Sequence, residues 1–425
     1  MRERLQSFPS VALAKLVQKG RKITYGIVQP GEFVADGVIL VRGRDYSAGW
    51  RDIDGFMRVT PEIDAPYKRS KLKLGDLVLT IVGANTGTVA VVPAWLDGAN
   101  ITQTTARIAV DSTKAIPGYV EQVLRSAIGQ EAVYRFQKGG AQPGLNLADV
   151  EKFEIPLPPL PEQRKIAEIL RTWDEALEKL NALRAAKARR HRGLTMALAF
   201  GANQLDRFRR TDEVAPYRWF KLPASWSCQH IGDLANEISE RNGGGDQHEV
   251  LSCSKHDGFV RSLEYFKKQV FSADLTGYKK IWRGDFGFPS NHVEEGSIGL
   301  QNLTDIGVVS PIYTVFRFDP DQVNAEYAFA VLKTELYRHI FEVSTSASVD
   351  RRGSLRWSEF SRLPFPVPPL DEQEAIADVL RTSRRELDAL TDEIEALTRQ
   401  KRGLMQKLLT GEWRVNTTEA TEVAQ

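Results

Sequence analysis

Apolar residues recur every three to four positions over a long stretch near the C-terminal end of the chain. In one register of a seven-residue repeat, the first and fourth positions hold Ile376, Leu380, Leu387, Leu390, Ile394, Leu397, Leu404 and Leu408. Only Ser383 and Lys401 interrupt this pattern. Because it lasts for more than four repeats, it predicts a coiled-coil helix rather than the amphipathic helix of a globular domain.

A second stretch, in the middle of the chain, keeps the same register with Ile166, Leu170, Trp173, Leu177, Leu180, Leu194 and Leu198. Its centre places Arg184, Lys187 and His191 on the seam. We therefore expect either weaker packing there or a seam that shifts to Leu183 and Ala186. Each helix would span about 55 Å at 1.5 Å per residue. Neither stripe can be buried alone, which predicts an antiparallel helix pair with one globular unit at each end and surplus apolar surface for a helical partner.

The two helical stretches belong to a longer internal repeat. Residues 156–201 align without a gap with residues 366–411, and 20 of the 46 aligned positions are identical. Each copy begins with a proline-rich entry, PLPPLPEQ or PVPPLDEQ, and prolines make such a linker stiff and extended. Glu162 and Glu372 follow within the first helical turn, where the helix dipole favours an acidic residue. The chain is therefore a tandem duplication of a globular segment and a helix.

The segments that precede the helices have a different pattern. Apolar, β-branched runs at 74–82, 87–93 and 309–318 alternate with glycine and aspartate, and short helices are predicted at 117–136 and 324–342. We predict an α+β protein in which two α/β domains, in a pseudo-twofold arrangement, are joined by two long antiparallel coiled-coil helices. The predicted boundaries are 1–155 and 203–365 for the domains, 156–202 and 366–412 for the helices, and 413–425 for a flexible tail.

Composition places the chain among ordinary globular proteins, because 42% of its 425 residues are hydrophobic and 26% are charged. Lys and Arg total 57 against 55 Asp and Glu, so no global cationic field indicates a nucleic-acid partner. The two cysteines cannot build a disulfide framework. No apolar run is long enough to cross a membrane, and the first residues lack the apolar core of a signal peptide. We expect a soluble, cytoplasmic protein of two or three domains.

The sequence contains no catalytic signature that we recognise. It lacks a phosphate-binding P-loop, a nucleophile elbow, a zinc-protease helix and the Asn/Asp-Pro-Pro-aromatic tetrapeptide of adenine methyltransferases. His248, Cys253 and His256 have a spacing that matches no standard zinc finger, so ordinary loop residues are favoured there. The acidic pair Glu294–Glu295 is most simply a solvated pair. We therefore predict no metal site and no catalytic residue.

Local features point to nucleic acid more than the net charge does. Basic residues that could hold phosphates are Lys68, Arg69, Lys71 and Lys73, and, at the equivalent place in the second half, Lys279, Lys280 and Arg283. Polar loop residues of the types that read base edges are Asn85, Thr86, Thr88, Gln103, Thr105, Arg107, Ser290, Asn291, His292, Arg351 and Arg352. The alternative is that such residues only decorate loops, as they do in many proteins.

Taken together, these features resemble the specificity subunits of type I restriction-modification systems over the full length. The resemblance rests first on PLPPLPEQRKIAEIL and PVPPLDEQEAIADVL, and on the helix ends RGLTMALAFG and RGLMQKLLTG. LPASWSCQHIGDLANEI resembles the start of a target recognition domain, and ITYGIVQPGE and GSIGLQN resemble segments inside such domains.

The resemblance implies a non-catalytic adaptor in which each target recognition domain reads one half of a bipartite DNA site. The helix pair would set the spacer between the halves and dock two methylation subunits. The partners would be double-stranded DNA, those two subunits and motor-nuclease subunits. S-adenosylmethionine, ATP and Mg²⁺ would belong to the partners, and this chain would hold no cofactor.

Two other interpretations stay open at this point. The chain could be a stand-alone nuclease or methyltransferase with an unrecognised active site, which turnover by the purified chain would reveal. It could also be a coiled-coil scaffold that binds no DNA. The scaffold is less favoured, because a scaffold does not need two divergent domains of equal size.

Overall fold

The structure, a computed structural model, describes residues 8–139, 143–208, 212–244, 247–255, 258–346 and 354–417. The chain forms two compact units. The first contains Met1–Asn181 together with Glu393–Gln425, and the second contains Ala182–Asp392. The first unit therefore consists of the N-terminal part of the chain together with the last part of the C-terminal helix.

The first unit is built mainly from short strands. These are β1 (Ser10–Ala12), β2 (Thr24–Tyr25), β3 (Val38–Val41), β4 (Met57–Val59), β5 (Leu77–Thr80), β6 (Val89–Val91), β7 (Asn100–Ile101), β8 (Thr105–Ile108) and β9 (Glu154–Pro156). Its short helices are α1 (Pro61–Asp64), α2 (Pro117–Arg125), α3 (Ala127–Phe136) and α4 (Leu147–Val150).

Two small sheets organise the first unit. One has the strand order β2-β8-β5-β6 and the other β4-β3-β7, while β1 pairs with β9. The first sheet is antiparallel, whereas β3 runs parallel to β7. Successive residues of a strand face opposite sides, so Leu77 and Leu79 join the core under α2 while Val78 joins a second core with Leu96 and Ile101. The four-stranded sheet thus carries a core on both faces.

A helix of 40 residues, α5 (Leu160–Ala199), follows β9. Pro161 lies in its first turn, where a missing N–H leaves no hydrogen bond unmade. The helix ends just before Gly201, which has a φ of +65°. Glycine adopts this left-handed conformation without a steric penalty, so it is a favoured residue directly after a helix.

The second unit contains more strand residues than the first. Its strands are β10 (Val214–Pro216), β11 (Lys221–Pro223), β12 (Ser227–His230), β13 (Ala235–Ile238), β14 (Glu249–Ser254), β15 (Gly258–Arg261), β16 (Lys279–Trp282), β17 (Phe286–Pro289), β18 (Gly299–Leu300), β19 (Ile306–Val309), β20 (Tyr313–Phe318) and β21 (Pro364–Val367). Its short helices are α6 (Ile231–Leu234), α7 (Ser262–Phe266), α8 (Ala325–Leu332), α9 (Glu335–Ser346) and α10 (Trp357–Phe360). The last helix, α11 (Leu370–Thr410), has 41 residues.

The second unit repeats the strand order of the first. Its antiparallel sheet is β13-β20-β17-β18, and its other sheet is β15-β14-β19-β16. The parallel pair β14 and β19 corresponds to β3 and β7, and the pair β12 and β21 corresponds to β1 and β9. Strand β16 is an additional edge strand. The two domains therefore share one topology, as the duplication of the sequence predicts, although their segments have little sequence identity.

Within each unit, α5 and α11 pair antiparallel over part of their length. In the first unit, Ile166 and Leu170 share a core with Leu408. In the second unit, Leu198 packs in one core with Ile376 and Leu380. Gly411 has a φ of +78° and follows α11 as Gly201 follows α5. The predicted pair of long antiparallel helices is confirmed.

Every predicted seam residue is buried or half-buried. The seam does not shift to Leu183, which is 46% exposed, or to Ala186, which is also exposed. Polar contacts bridge the helices at the centre instead. Lys187 Nζ lies 2.7 Å from a carboxylate oxygen of Glu386. A coiled-coil seam tolerates polar residues when they find partners across it, and such partners specify the register.

Both polar interruptions of the heptad in α11 have polar partners in α5. Ser383 Oγ lies 3.0 Å from Nδ1 of His191 in the second unit. Lys401, which is buried, donates to Asp174 in the first unit. Because each interruption meets a matching group, the polar positions favour the observed antiparallel register over a slipped one.

The predicted short elements are present with one break in each helix. Strands β5 and β6 lie inside 74–82 and 87–93, while 309–318 contains β20 and the end of β19. The predicted helix at 117–136 is interrupted at Ser126, whose backbone is extended and whose side chain caps α3. The predicted helix at 324–342 is likewise divided into α8 and α9.

The predicted flexible tail does not start at residue 413. Lys407 Nζ lies 4.3 Å from the ring centroid of Trp413, and Val415 packs against the core of the first unit. The start of this segment is therefore anchored. Residues 418–425 lie outside the described part of the chain.

Candidate nucleic-acid interface

The glutamine of the EQ motif joins α5 to the domain of the first unit. Gln163 is buried. Its Nε2 donates to the carbonyl oxygens of Pro158 at 2.8 Å and Lys114 at 3.4 Å, and its Oε1 accepts a 2.9 Å hydrogen bond from the Ile116 amide. One side chain therefore fixes the proline entry, the start of α2 and the start of α5 to one another.

The second unit contains the same joint. Gln373 donates to the carbonyl oxygens of Pro368 at 2.9 Å and Gln322 at 3.0 Å, and it accepts a 2.8 Å hydrogen bond from the Asn324 amide. Its position relative to α8 and α11 matches that of Gln163 relative to α2 and α5. We call these two sets of contacts the EQ joints. They orient each domain relative to the helix that follows it.

The glutamate of each EQ motif is also buried and is held by different partners. Glu162 accepts two hydrogen bonds from the guanidinium of Arg414. Glu372 accepts from the indole of Trp226 at 3.0 Å and from Gln204 Nε2 at 3.3 Å. In both units the glutamate of the motif thus links the start of a long helix to side chains that are remote in sequence.

The first predicted basic cluster remains largely at the surface. Lys68, Arg69 and Lys73 are exposed. Lys71 is partly engaged, because its Nζ lies 2.7 Å from a carboxylate oxygen of Asp64 and donates to the Gly98 carbonyl. Three of the four cations are therefore placed where they could meet phosphate groups.

The second predicted basic cluster is engaged within the protein. Lys279 donates to the Tyr313 carbonyl at 2.6 Å, and burial lowers the pKa of its ammonium group. Lys280 pairs with Glu240 at 3.0 Å. Arg283 pairs with Asp305 at 3.1 Å. Any phosphate contact by this cluster would compete with these partners, so the two clusters are not equivalent although their sequences align.

Thr105 and Arg107 do not fit the role of base-edge readers. Both lie on β8 and are buried, with 0% and 1% of their surface exposed. Arg107 donates to the carbonyl oxygens of Lys22 at 3.0 Å and Arg69 at 2.9 Å. Burial, and then the charge of Arg21, lower the pKa of its guanidinium. A side chain that is enclosed on all sides cannot reach a base, so these two predictions are corrected.

A cleft of about 510 Å³ beside β6 gathers three predicted residues of the first unit. Asn85, Thr86 and Thr88 line one side of it, and Tyr46 and Trp50 line another. Further lining residues with polar side chains are Ser47, Glu121, Arg125 and Gln130. Amide, hydroxyl, guanidinium and aromatic groups are the ones that contact bases and sugars in nucleic-acid complexes.

The walls of this cleft are held by internal contacts. The indole of Trp50 donates to the Val91 carbonyl at 3.0 Å, and the hydroxyl of Thr86 donates to the Gly83 carbonyl at 2.7 Å. Burial raises the pKa of the Glu121 carboxyl, while Arg125 acts in the opposite direction. Asn85 is exposed at the mouth. The cleft is therefore a preformed polar site with an aromatic wall.

The remaining predicted residues lie on separate loops. Gln103 is exposed in the turn between β7 and β8, and Asn291 and His292 are exposed after β17. Ser290 is half-buried and donates to the Ile312 carbonyl at 2.8 Å. Arg351 and Arg352 lie outside the described residues.

One group of possible metal ligands exists in the described part of the chain. His292, Glu294 and Glu295 place one ligand atom each within 4.8 Å of one another. His292 Nδ1 lies 3.4 Å from a carboxylate oxygen of Glu295, three residues further along the chain, so this local contact accounts for their proximity. Cys253 is not in this group, and burial raises the pKa of its thiol to about 12. His256 lies outside the described residues.

Sequence reasoning missed residues of three kinds. Trp50 and Tyr46 shape the cleft, Tyr25 lies under the guanidinium of Arg69, and Gln163 forms the EQ joint. Of these residues, only Gln163 could have been found from the sequence, because a glutamine occupies the same position in both repeats. The aromatic residues lie in loops without periodicity, and their partners are remote in sequence.

Comparison with known families decides the relationship. Residues 64–187 and 282–399, together more than half of the chain, match the family model described as the type I restriction modification DNA specificity domain. The chain belongs to this family. The two matched regions correspond to the two repeats, each covering part of a domain and most of the helix that follows it.

Relatives within this specificity family are distant and cover parts of the chain. The specificity subunit of the type I restriction enzyme EcoBI from Escherichia coli is 32% identical over 177 residues, 41% of this chain and 37% of that protein. The MjaVIII specificity subunit from Methanocaldococcus jannaschii is 23% identical over 289 residues, 65% of this chain and 66% of that protein. The match thus spans less than two thirds of either relative.

Solved structures resemble the chain over nearly its whole length. The crystal structure of a type I restriction-modification system S subunit from M. genitalium has a TM-score of 0.57 at 14% identity and covers 96% of this chain and 98% of that chain. A chain from a structural study of complex assembly and conformational transition in the type I system has a TM-score of 0.55 at 16% identity, with 97% and 100% covered. At such identities the likeness establishes the fold. Within the described residues, no helix is both long and apolar enough to cross a membrane.

Proposed function

We propose that this chain is the non-catalytic specificity subunit of a type I restriction-modification complex, in which each domain reads one half of a bipartite DNA site. One observation carries the proposal. The two domains share their strand order and their EQ joint but present different surfaces. Duplicated scaffolds with divergent surfaces are what two different half-sites require.

The reading surfaces are argued from exposure and chemistry. In the first unit, the cleft beside β6 offers Asn85, Thr88 and Arg125, with Trp50 as a flat apolar wall. The exposed Lys68 and Arg69 can hold phosphates. Among the predicted base-reading residues that the structure describes in the second unit, Asn291 and His292 are exposed. Polar groups at loop tips on a rigid sheet are suited to base edges.

The long helices are suited to the role of a spacer. Helices of 40 and 41 residues span about 60 Å each at 1.5 Å per residue. Their register is specified by polar contacts such as His191–Ser383, and each helix starts from a rigid EQ joint. A stiff element that is fixed to a domain sets the distance between half-sites geometrically.

The proposed partners follow from this role. They are double-stranded DNA, two methylation subunits that dock on the helices and domains, and motor-nuclease subunits. S-adenosylmethionine, ATP and Mg²⁺ would bind to those subunits rather than to this chain. The near-neutral charge of +2 is consistent with a DNA grip that is shared with companion subunits.

A change of helix length tests the proposal. Four residues, about one helical turn, are inserted between Ala185 and Lys187 of α5, with a matched insertion between Arg385 and Leu387 of α11. Methylome sequencing of cells that carry the complex should show an unchanged pair of half-sites and a longer spacer. The control is the same four residues added after Thr417, which should leave the spacer as it is.

An unchanged spacer in the helix variant would contradict the role of the helices as a ruler. Altered half-sites would contradict independent reading by the domains. In a parallel assay, the purified chain is incubated with DNA and either S-adenosylmethionine or Mg²⁺. Methylation or cleavage by the chain alone would instead favour a stand-alone DNA-modifying enzyme.

A further inference from the structure

A buried arginine connects two surface segments at the β2 edge of the first unit. Arg107 on β8 is 1% exposed, and a single nitrogen, Nη2, donates to the carbonyl oxygens of both Lys22 and Arg69. Its Nη1 also reaches the Arg21 carbonyl at 3.5 Å, and its Nε has no hydrogen-bond partner among the described residues. The backbones of the two segments are therefore neighbours, and the buried Arg107 guanidinium binds a carbonyl oxygen of each.

Burial of the Arg107 guanidinium carries a desolvation cost. Removing a guanidinium from water is costly, and hydrogen bonds to neutral carbonyl groups compensate it less well than a carboxylate would. The nearby carboxylate of Asp76 is already bound by Arg21 at 2.8 and 2.6 Å. An apolar side chain of similar volume would avoid this desolvation cost, but it would leave the Lys22 and Arg69 carbonyl oxygens without their donor. What Arg107 adds is the fixed position of the segments that carry Lys22 and Arg69.

The two segments present a cationic and aromatic surface. Lys22, Lys68 and Arg69 are exposed. Tyr25, on the edge strand β2, is 37% exposed, and the guanidinium of Arg69 lies 5.7 Å from its ring centroid. The stacked pair places a positive charge beside a flat apolar face. We call these four exposed residues the β2-edge patch.

The second unit has an apolar residue at the position that corresponds to Arg107. In the first unit, Arg107 lies opposite Val78 in the pairing of β8 with β5. In the corresponding pairing of β20 with β17, Val315 lies opposite Gly287. Val315 is buried and apolar. The shared fold therefore does not require a buried cation at this position.

We propose that the β2-edge patch is a DNA-backbone contact of the first domain and that Arg107 is its positioning residue, an inference that rests on the proposed function. Three cations match the charge of successive phosphate groups. The ring of Tyr25, which contacts the guanidinium of Arg69, packs against a deoxyribose of the backbone. The contact is separate from the cleft beside β6, which lies at the opposite edge of the same sheet.

The test measures how DNA binding depends on salt. The full chain, in complex with its methylation subunits, is titrated against a labelled DNA duplex of about 40 base pairs at several salt concentrations. Substitution of all three cations (K22A, K68A and R69A) should weaken binding at least tenfold at low salt and flatten the log–log salt dependence by about 0.9 for each lost phosphate contact. K15A, which removes an exposed lysine from a different segment, is the control and should change neither.

Two further variants separate positioning from folding. Tyr25→Ala should weaken binding about two- to fivefold, the loss expected for one exposed cation–π contact, because Arg69 loses the ring that positions it, while Tyr25→Phe keeps the contact. Arg107→Met keeps much of the buried volume but removes the donor to the Lys22 and Arg69 carbonyls, so a lower melting temperature is expected. Measured at a temperature where circular dichroism shows the variant folded, it should flatten the salt dependence, because the patch is no longer held together. A merely structural role of Arg107 would leave the salt dependence unchanged.

The outcomes separate this inference from the proposed function. If the unmodified complex binds no DNA, the proposed function itself is overturned. If it binds and the triple variant binds with the same affinity and salt dependence, the β2-edge patch is not a DNA contact, although the chain can still be a specificity subunit. If the triple variant binds DNA more weakly but Arg107→Met binds with the affinity and salt dependence of the unmodified chain, the β2-edge patch is a DNA contact. Arg107 is then not its positioning residue.

Discussion

The carboxylate of Glu162 receives two parallel hydrogen bonds of 2.7 Å from the guanidinium of Arg414, across 252 residues of sequence. The guanidinium also lies 4.9 Å from the ring centroid of Phe8. In the other repeat, Gln204 takes the place of Arg414 and binds Glu372. The segment after each long helix thus secures the beginning of the other helix, and the first unit depends on residues near the C-terminal end.

Glu162→Gln should destabilise the first unit by about 1–3 kcal/mol, because a charge-assisted pair is replaced by one neutral hydrogen bond. Hydrogen exchange of the amides at the start of α5 should show the loss. Glu168→Gln is the matched control on the same helix. It should have almost no effect, since the side chains of Glu168 and its partner Lys165 are both exposed to solvent. Equal effects would contradict the assigned importance of Arg414.

Gln373→Met should weaken the EQ joint of the second unit by about 1–3 kcal/mol, because it leaves buried backbone groups without partners. The Asn324 amide, which donates to Gln373, should then exchange faster with solvent. Gln322→Ala is the control, since it keeps the backbone carbonyl that Gln373 uses. Unaltered exchange at Asn324 would show that the joint does not hold α8.

The helix pair of the second unit should be less stable in mild acid. Burial, and then Arg384, lower the pKa of His191 below its usual 6.5, with Arg192 acting in the same direction and Asp388 opposing. Because the unfolded state then binds the proton more readily, the contribution of His191 is complete above about pH 6.5 and is lost as the pH falls towards the folded pKa.

Unfolding measured at about pH 7.5 and pH 5.5 tests this expectation. His191→Gln retains a polar contact to Ser383 but cannot titrate, so it should lose less stability between the two values than the unmodified chain. An equal loss in both proteins would assign the pH dependence to other groups.

Asn85→Ala should relax recognition at one base of one half-site, corresponding to about 1–3 kcal/mol of lost discrimination. Methylome sequencing of cells with the variant complex gives the result directly. Asn181→Ala removes an exposed amide from α5 and should leave both half-sites unchanged. A change in both half-sites of the Asn85 variant would contradict reading by separate domains.

Local periodicity explains why the helices were predictable. The seam of α11 reads directly as a heptad, and the proline entry and Gly411 delimit the helix in sequence. The break at Ser126 was not predictable. A single serine that caps the next helix changes the direction of the chain but does not alter the pattern of apolar residues. The cleft beside β6 was partly predictable, since Asn85 and Thr88 lie in a polar loop, while Trp50 comes from a distant segment.

The sequence by itself determined the duplication, the two long helices, the α/β character of both domains and the family. These depend on spacing along the chain, which a periodic or repeated pattern preserves. Only the tertiary structure decided which polar residues are engaged inside the protein and which are free to bind. Arg107 and Lys279 look like surface cations in sequence, yet their partners lie 85 and 34 residues away. Partners so remote are brought together only by packing, and that packing sets which charges remain in water.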